Sequence, residues 1–157
     1  DTPGGGNTSV AEPILGHFVD AETPYQVTAP IDAPVYMRFV APSSEQPYDQ
    51  PVIALVGRWT GSMGEGMAIG LDGMGRATVL GTQMARLAGG TEAINLPSVG
   101  ITAFIPTYDL RHLDGTPRHH WAPAVENTQS ADLGNREDLL LNTAIQRLST
   151  SENEGVQ

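Results

Sequence analysis

Apolar residues recur at helical spacing in two stretches, one near each end of the chain. Near the start they follow the potential caps Asn7 and Thr8 and predict a helix from about Thr8 to Asp20. Pro13 is tolerable only in the first turn of this helix, which is therefore expected to begin slightly after the caps. Near the end, the amphipathic run NREDLLLNTAIQRL predicts a second helix, with Asn135 as its cap. Its expected core residues are Leu139, Leu140, Ile145 and Leu148.

The middle of the chain has the pattern of strand, helix, strand. PVIALVG is a continuous apolar run, typical of a strand buried on both faces, and ATVLGT repeats that pattern. Between them, residues 62–74 predict a helix with four glycines, which needs close packing to persist. The sequence therefore predicts an α/β fold with a mixed, mostly parallel sheet and packed helices.

The remaining segments predict less regular structure. Residues 22–50 are rich in proline and polar residues and predict a loop-rich connection, in which VYMRFVA forms an edge strand or hairpin arm. Residues 90–117 alternate apolar and polar positions around turn signals such as Asp114-Gly115, which predicts a β-meander. The ending STSENEGVQ predicts a frayed tail. We expect one domain over residues 1–150, followed by a tail over residues 151–157.

Composition and charge narrow the function classes. The 157 residues fit one domain, and 18 acidic against 8 basic residues give a net charge of -10. This charge disfavours nucleic acids and anionic membrane surfaces as partners. No apolar run approaches the roughly 20 residues that span a bilayer, and no phosphate-binding glycine motif is complete, so we expect neither membrane insertion nor a cofactor. The chain has no cysteine, and all its basic residues are arginine, so thiol and lysine chemistry are absent.

The segment TGSMGE raises a question about one serine. Ser62 directly follows the predicted buried strand, and Glu65 lies three residues further on, as in a capping box. A helix start also presents free N–H groups and a positive dipole end, which suit the oxyanion formed when a serine attacks a carbonyl. The sequence pattern therefore allows two roles for Ser62, a helix cap or a nucleophile.

The order of motifs resembles one known family. A GG-N turn enters a helix, PVIALVGRWTGSMGEGMAIGL and GRATVLGT follow, and a hairpin, DGTP and a last helix complete the series. This order resembles the catalytic domain of the C-terminal processing peptidases, or tail-specific proteases, and their tricorn-core-like branch. The resemblance extends from Gly4 to Leu148. It implies a crotonase/Clp protease-like superhelix of β-β-α units and serine peptidase activity on polypeptide substrates.

The resemblance also implies roles for individual residues. Ser62 matches the nucleophile, and the amides of Met63 and Gly5 match the two oxyanion donors. Glu65 matches a supporting carboxylate. An exported or cell-envelope location is implied by the resemblance alone.

Two departures from the family pattern concern the general base. The family's lysine motif is replaced by TQMARLAGG, in which Leu87 falls at the lysine position, and Arg86 cannot substitute because guanidinium does not deprotonate. A glutamate expected after the DG turn is replaced within PRHH, residues 117–120. The family pattern then implies a histidine base from a segment before Asp1. We therefore expect this chain to be the C-terminal part of a catalytic domain, inactive without the preceding part.

Other functions stay open on sequence grounds. One alternative is a non-catalytic interaction or scaffold module on a peptidase-like fold, and another is a crotonase-type acyl-thioester enzyme. His112, His119 and His120 are close in sequence but lack a standard ligand spacing, so no metal site is predicted.

Overall fold

The computed structural model of the chain describes residues 6–123, 125–126 and 138–154. Within these ranges the chain forms three α-helices, two short 3-10 helices and seven strands. The helices are α1 (Thr8–Leu15), α2 (Met63–Gly73) and α3 (Leu139–Glu154), and the 3-10 helices are Gly16–Phe18 and Arg118–His120. The strands are β1 (Thr23–Pro30), β2 (Tyr36–Val40), β3 (Ile53–Val56), β4 (Thr78–Gly81), β5 (Gly89–Leu96), β6 (Ile101–Arg111) and β7 (Val125–Glu126).

The strands form two sheets of opposite character. β2, β1, β6 and β5 lie in that order in an antiparallel sheet, whereas β3, β4 and β7 form a parallel sheet. The predicted β3–α2–β4 unit is confirmed, as are the hairpin over β5 and β6 and the edge position of β2. The α/β class is therefore confirmed. The predicted predominance of parallel strands is wrong for the described residues, because the larger sheet is antiparallel.

The strand missing from the sequence prediction is β1, which lies between β2 and β6. The sequence did not predict this strand because it contains prolines, and proline has no N–H to donate to a neighbouring strand. Pro24 adjoins an irregularity in the pairing with β2, and Pro30 is the last residue of the strand. Both prolines therefore occupy positions where an interior strand tolerates a missing donor, and residues 22–50 are less loop-rich than predicted.

The glycines of α2 create a smooth face against the antiparallel sheet. A Cβ at Gly70 would stand 2.9 Å from Cδ2 of the buried Tyr25, and one at Gly66 would stand 3.3 Å from Oε1 of the buried Gln26, both residues of β1. The close packing expected of this glycine-rich helix is confirmed. Two clusters of buried apolar side chains flank the helix, one including Ile69 and Val79 and the other including Leu71 and Tyr25.

The first helix begins where the sequence predicts but accommodates its proline differently. Asn7 caps α1 by accepting a hydrogen bond from the Ser9 amide over 3.0 Å, so the helix begins at Thr8 without delay. Pro13 lies inside the helix, which corrects the expectation that it sits in the first turn. The carbonyl left without its usual helix partner belongs to Ser9, which is exposed, and water can satisfy it.

The last helix buries less than predicted. Only Ala144 is fully buried among the described side chains of α3, and Leu139 and Ile145 are exposed, which corrects their predicted core positions. Leu140 and Leu148 are half-buried. The reason is that α3 packs along one narrow face, against β3 and β4.

The ends of α3 also differ in detail from the prediction. Asn135, the predicted cap, lies outside the described residues, and Asp138 accepts hydrogen bonds from the amides of Leu140 and Leu141. The helix continues to Glu154, into the segment for which a frayed tail is predicted, and residues 155–157 lie outside the described ranges. No helix within those ranges has the length and apolar character needed to cross a membrane.

Candidate active site

Ser62 lies at a strained junction between strand and helix. β3 ends at Val56, a short loop follows, and α2 begins at Met63, so Ser62 is the residue that caps the helix. Its backbone angles are φ 53° and ψ -115°. A positive φ is uncommon for a residue with a side chain and costs about 1–3 kcal/mol, so it persists only where the surroundings impose it.

The carboxylate of Glu65 imposes this conformation from one side. Glu65 is fully buried, and it accepts hydrogen bonds from the amides of Ser62 and Arg86, each over 2.8 Å, and of Leu87 over 3.3 Å. Ser62 and Arg86 are the two non-glycine residues with positive φ in the described part of the chain. One carboxylate therefore ties down both strained residues.

This geometry answers the question of the capping box. Ser62 and Glu65 face each other as the motif requires, and the bond that closes it runs from the Ser62 N–H to Glu65 Oε2. The Ser62 side chain also faces the Glu65 backbone amide, as the other arm of the box requires, although this contact is too loose to form a capping hydrogen bond. The well-formed bond of the capping box is therefore the one that Glu65 accepts.

Arg118 holds the same junction from the other side. Its guanidinium is buried and donates to three carbonyl oxygens, those of Leu87 over 2.8 Å, Ser62 over 3.1 Å and Gly89 over 3.2 Å. Its Nε lies 3.9 Å from Glu65 Oε2. Burial lowers the pKa of Arg118 and the Glu65 charge opposes that shift, but the guanidinium remains protonated at working pH. The N–H and C=O groups of Ser62 are thus bound by opposite members of one buried ion pair.

An open cleft of about 350 Å³ lies beside Ser62, within the size range of ligand sites. The start of α1 contributes Gly6, Asn7 and Thr8 to its wall, and the start of α2 contributes Ser62 and Met63. The antiparallel sheet and the adjoining loops supply the other walls: Gln26, Arg38, Gly89, Gly90, Tyr108, Leu110 and Arg118. None of these described lining residues is aspartate, glutamate, histidine or lysine.

The structure brings together most of the residues predicted from sequence. Ser62 and Met63 line the cleft, and Glu65 lies behind them as a buried partner of the backbone. Gly5, the other predicted oxyanion donor, lies outside the described residues. Leu87, at the position where a lysine is expected, is exposed and donates its N–H to Glu65.

The three clustered histidines do not converge on this cleft. His112 lies between Asp72, 3.1 Å from its Nε2, and Asp114, 3.0 Å from its Nδ1, and stacks on Trp121. His119 and His120 pack against each other. Within the described residues no group of three or more potential ligands is arranged to hold a metal ion.

Sequence reasoning missed the site's arginines. In the sequence, Arg118 was noted only because it lies in PRHH, where a glutamate is expected. Arg38, which lines the cleft from β2, belongs to no recognised motif. The one available signal was the total absence of lysine, which leaves every fixed side-chain cation to arginine. Arg86 was excluded as a base, which agrees with its guanidinium donating to the His119 carbonyl over 2.9 Å.

Comparison with known proteins agrees with this geometry. The model of peptidase family S41 matches residues 2–123. The chain belongs to peptidase family S41. The predicted resemblance to the C-terminal processing peptidases is thereby confirmed at the level of the family, whereas no curated protein sequence matches the chain.

Three solved structures show the fold shared by this S41 chain. A candidate peptidase from Parabacteroides merdae is 17% identical with a TM-score of 0.78, and the match covers 92% of this chain and 49% of that one. The photosystem II D1 C-terminal processing protease is 19% identical with a TM-score of 0.66, covering 79% and 32% of the two chains. Mature CPAF is 12% identical with a TM-score of 0.66, covering 78% and 37%. The S41 chain thus spans half or less of each relative's length.

Proposed function

We propose that this S41 chain carries the nucleophile of a serine peptidase that hydrolyses polypeptide substrates. The observation that carries the proposal is the strained backbone of Ser62, held on both sides by a buried ion pair at the edge of an open cleft. Strain of this kind clusters at functional sites, and a strained strand-to-helix turn is how other serine hydrolases expose their nucleophile. The crotonase/Clp protease-like superhelix is the finer fold assignment that accompanies the proposal.

In the proposed reaction, Ser62 Oγ attacks the carbonyl carbon of the scissile peptide bond. The hydroxyl proton passes to a general base, and the Met63 amide, at the start of α2, donates to the oxyanion. Collapse of this intermediate breaks the C–N bond, and the amine leaves with a proton. Water then hydrolyses the acyl-serine. Gly5 is the proposed second oxyanion donor, and its neighbour Gly6 already lines the cleft.

The general base is proposed to come from outside the described residues. The described lining of the cleft offers no histidine, lysine or carboxylate. Glu65 has no role as base, because its oxygens already accept three backbone amides. The same observation favours the second candidate function, a non-catalytic interaction module that keeps a peptidase fold, and the experiment must separate the two.

Reaction of the full-length protein with a fluorophosphonate probe separates them. We expect labelling that is lost in Ser62→Ala and kept in Ser98→Ala, a matched control in the exposed turn between β5 and β6. Because Ser62→Ala removes only the looser arm of the capping box, it should lower the free energy of unfolding by no more than about 1 kcal/mol. A folded parent that does not label would favour the non-catalytic module, and labelling that survives Ser62→Ala would remove Ser62 as the nucleophile.

A further inference from the structure

Two ion pairs border the Ser62 cleft, and in each pair the arginine lies on the side of the cleft. Arg38 on β2 lines the cleft, whereas its partner Glu12, on α1, does not. Arg38 Nη2 lies 2.6 Å from Glu12 Oε1, and its Nε lies 3.2 Å from the same oxygen. Arg118 likewise lines the cleft, and its partner Glu65 lies behind it. The cation of each pair therefore lies on the cleft side, but only Arg38, with 25% of its side chain exposed against 2% for Arg118, is open to a ligand.

Helix dipoles reinforce this polarity. The first residues of α1 and of α2 border the cleft, so the positive ends of both helices face it. The described lining of the cleft contains two arginines and no acidic residue, on a chain whose net charge is -10. The overall charge of the chain cannot produce this local composition, so it comes from the arrangement of these elements.

A buried amide gives a second, independent indication of a ligand. Gln26 is fully buried, lines the cleft, and has no hydrogen-bond partner for its Oε1 among the described residues. It is the direct cross-strand neighbour of Arg38 in the β1–β2 pairing. Paired residues lie on the same face of a sheet, so a lone acceptor stands beside a cation. An unpartnered buried acceptor is costly unless a ligand supplies a donor.

We propose that the cleft contains a subsite for a carboxylate of the peptide substrate, bound by Arg38. The hydrogen bonds to Glu12 come from Nε and Nη2 of Arg38, which leaves Nη1 to donate to the carboxylate. The carboxylate belongs either to an aspartate or glutamate side chain or to the free C-terminus of the peptide. This assignment of substrate class rests on the proposed peptidase function.

Peptide binding to the Ser62→Ala form of the full-length protein tests the subsite without turnover. The ligands are fluorescent peptides that differ only in one glutamate or glutamine and in a free or amidated C-terminus. We expect at least about tenfold tighter binding of the carboxylate-bearing peptide, the effect of one charge-assisted hydrogen bond. Preference for glutamate regardless of amidation identifies a side-chain carboxylate, and preference lost on amidation identifies the C-terminus.

Adding Arg38→Gln to the same protein should abolish the preference. Arg58→Gln is the matched control, because Arg58 stacks on the exposed Trp59 and does not line the cleft. Should Arg38→Gln alone fail to fold, Glu12→Gln/Arg38→Gln removes the whole ion pair and tests the same loss. Equal binding of all four peptides, or a preference that survives in a folded variant without Arg38, overturns the subsite. Probe labelling of Ser62 is read separately, so a failed peptidase proposal and a failed subsite give different results.

Discussion

The two ion pairs that border the cleft have the same chemistry and different surroundings. Arg118 and Glu65 are buried, with side-chain exposures of 2% and 0%, and their hydrogen bonds go to backbone groups at and near Ser62. Arg38 and Glu12 keep exposures of 25% and 28%, and Glu12 also accepts from the Tyr25 hydroxyl. The first pair shapes the chain around Ser62, and the second presents a charge to the cleft. Their removal should therefore have different consequences.

The largest effect is expected for Arg118→Met. The change leaves the buried Glu65 charge without its partner and three carbonyls without their donor, which should cost about 3–5 kcal/mol of unfolding free energy. Displacement of Ser62 should also slow fluorophosphonate labelling about 100-fold. Urea unfolding and labelling rates measure the two effects, with Arg58→Met as the control. A loss below about 1 kcal/mol would mean that Arg118 and Glu65 do not hold Ser62 in place, because an exposed surface ion pair contributes that much.

A smaller effect is expected for Glu65→Gln. The carboxamide keeps the shape of the side chain, but its NH₂ group faces amides that need an acceptor, which should cost about 1–3 kcal/mol. In the double variant Glu65→Gln/Arg118→Met, neither charge is left without its partner. Its loss of unfolding free energy should therefore be smaller than the sum of the losses of the two single variants. Urea unfolding of the four proteins in this cycle measures the coupling. Additive costs would mean that the two side chains act independently.

The third effect concerns Tyr25, whose hydroxyl donates to Glu12 of the more exposed pair. Replacing it by phenylalanine should lower the free energy of unfolding by about 1 kcal/mol. Tyr25 donates to Glu12 over 2.9 Å, and burial, followed by this hydrogen bond, raises the pKa of Tyr25 above its ordinary 10.0. The unfolded phenol ionises first, so stability is present below about pH 10 and falls as the pH rises further. The Tyr25→Phe variant lacks this loss. The difference in unfolding free energy between the parent protein and Tyr25→Phe should therefore narrow above that pH. Tyr48→Phe, at an exposed position, is the control, and a constant gap to about pH 11 would contradict the assignment.

Some elements of the fold could be predicted from the sequence, and others could not. The β3–α2–β4 unit follows from short apolar runs and a local capping motif, so it could be predicted, as could the place of Ser62 in it. β1 could not, because its prolines resemble those of a loop. The exposure of Leu139 and Ile145 could not either, since periodicity marks an apolar stripe and does not say how much of it a neighbour covers.

The contact of Arg118 with Ser62 could not be predicted from the sequence for a different reason. Arg118 meets the Ser62 carbonyl across 56 positions of sequence, and contacts at such separations leave no periodic pattern. The positive φ of Ser62 is equally hidden, because serine is an ordinary helix cap in an extended conformation. What the sequence did show was a glutamate three residues after the serine and a chain without lysine. The capping motif predicted the pairing with Glu65, and the structure added the cation.

The smallest effect on stability is expected for Arg38→Gln. Because the Arg38–Glu12 pair is partly solvated, its loss should cost about 0.5 kcal/mol, and the loss should shrink further at high salt. Urea unfolding at low and high salt measures this, with Arg118→Met as the reference for a buried pair. A cost as large as that of Arg118→Met would place Arg38 in the structural framework of the fold. A small cost combined with lost carboxylate preference would instead mean that Arg38 recognises the ligand, whereas Arg118 holds the backbone of Ser62.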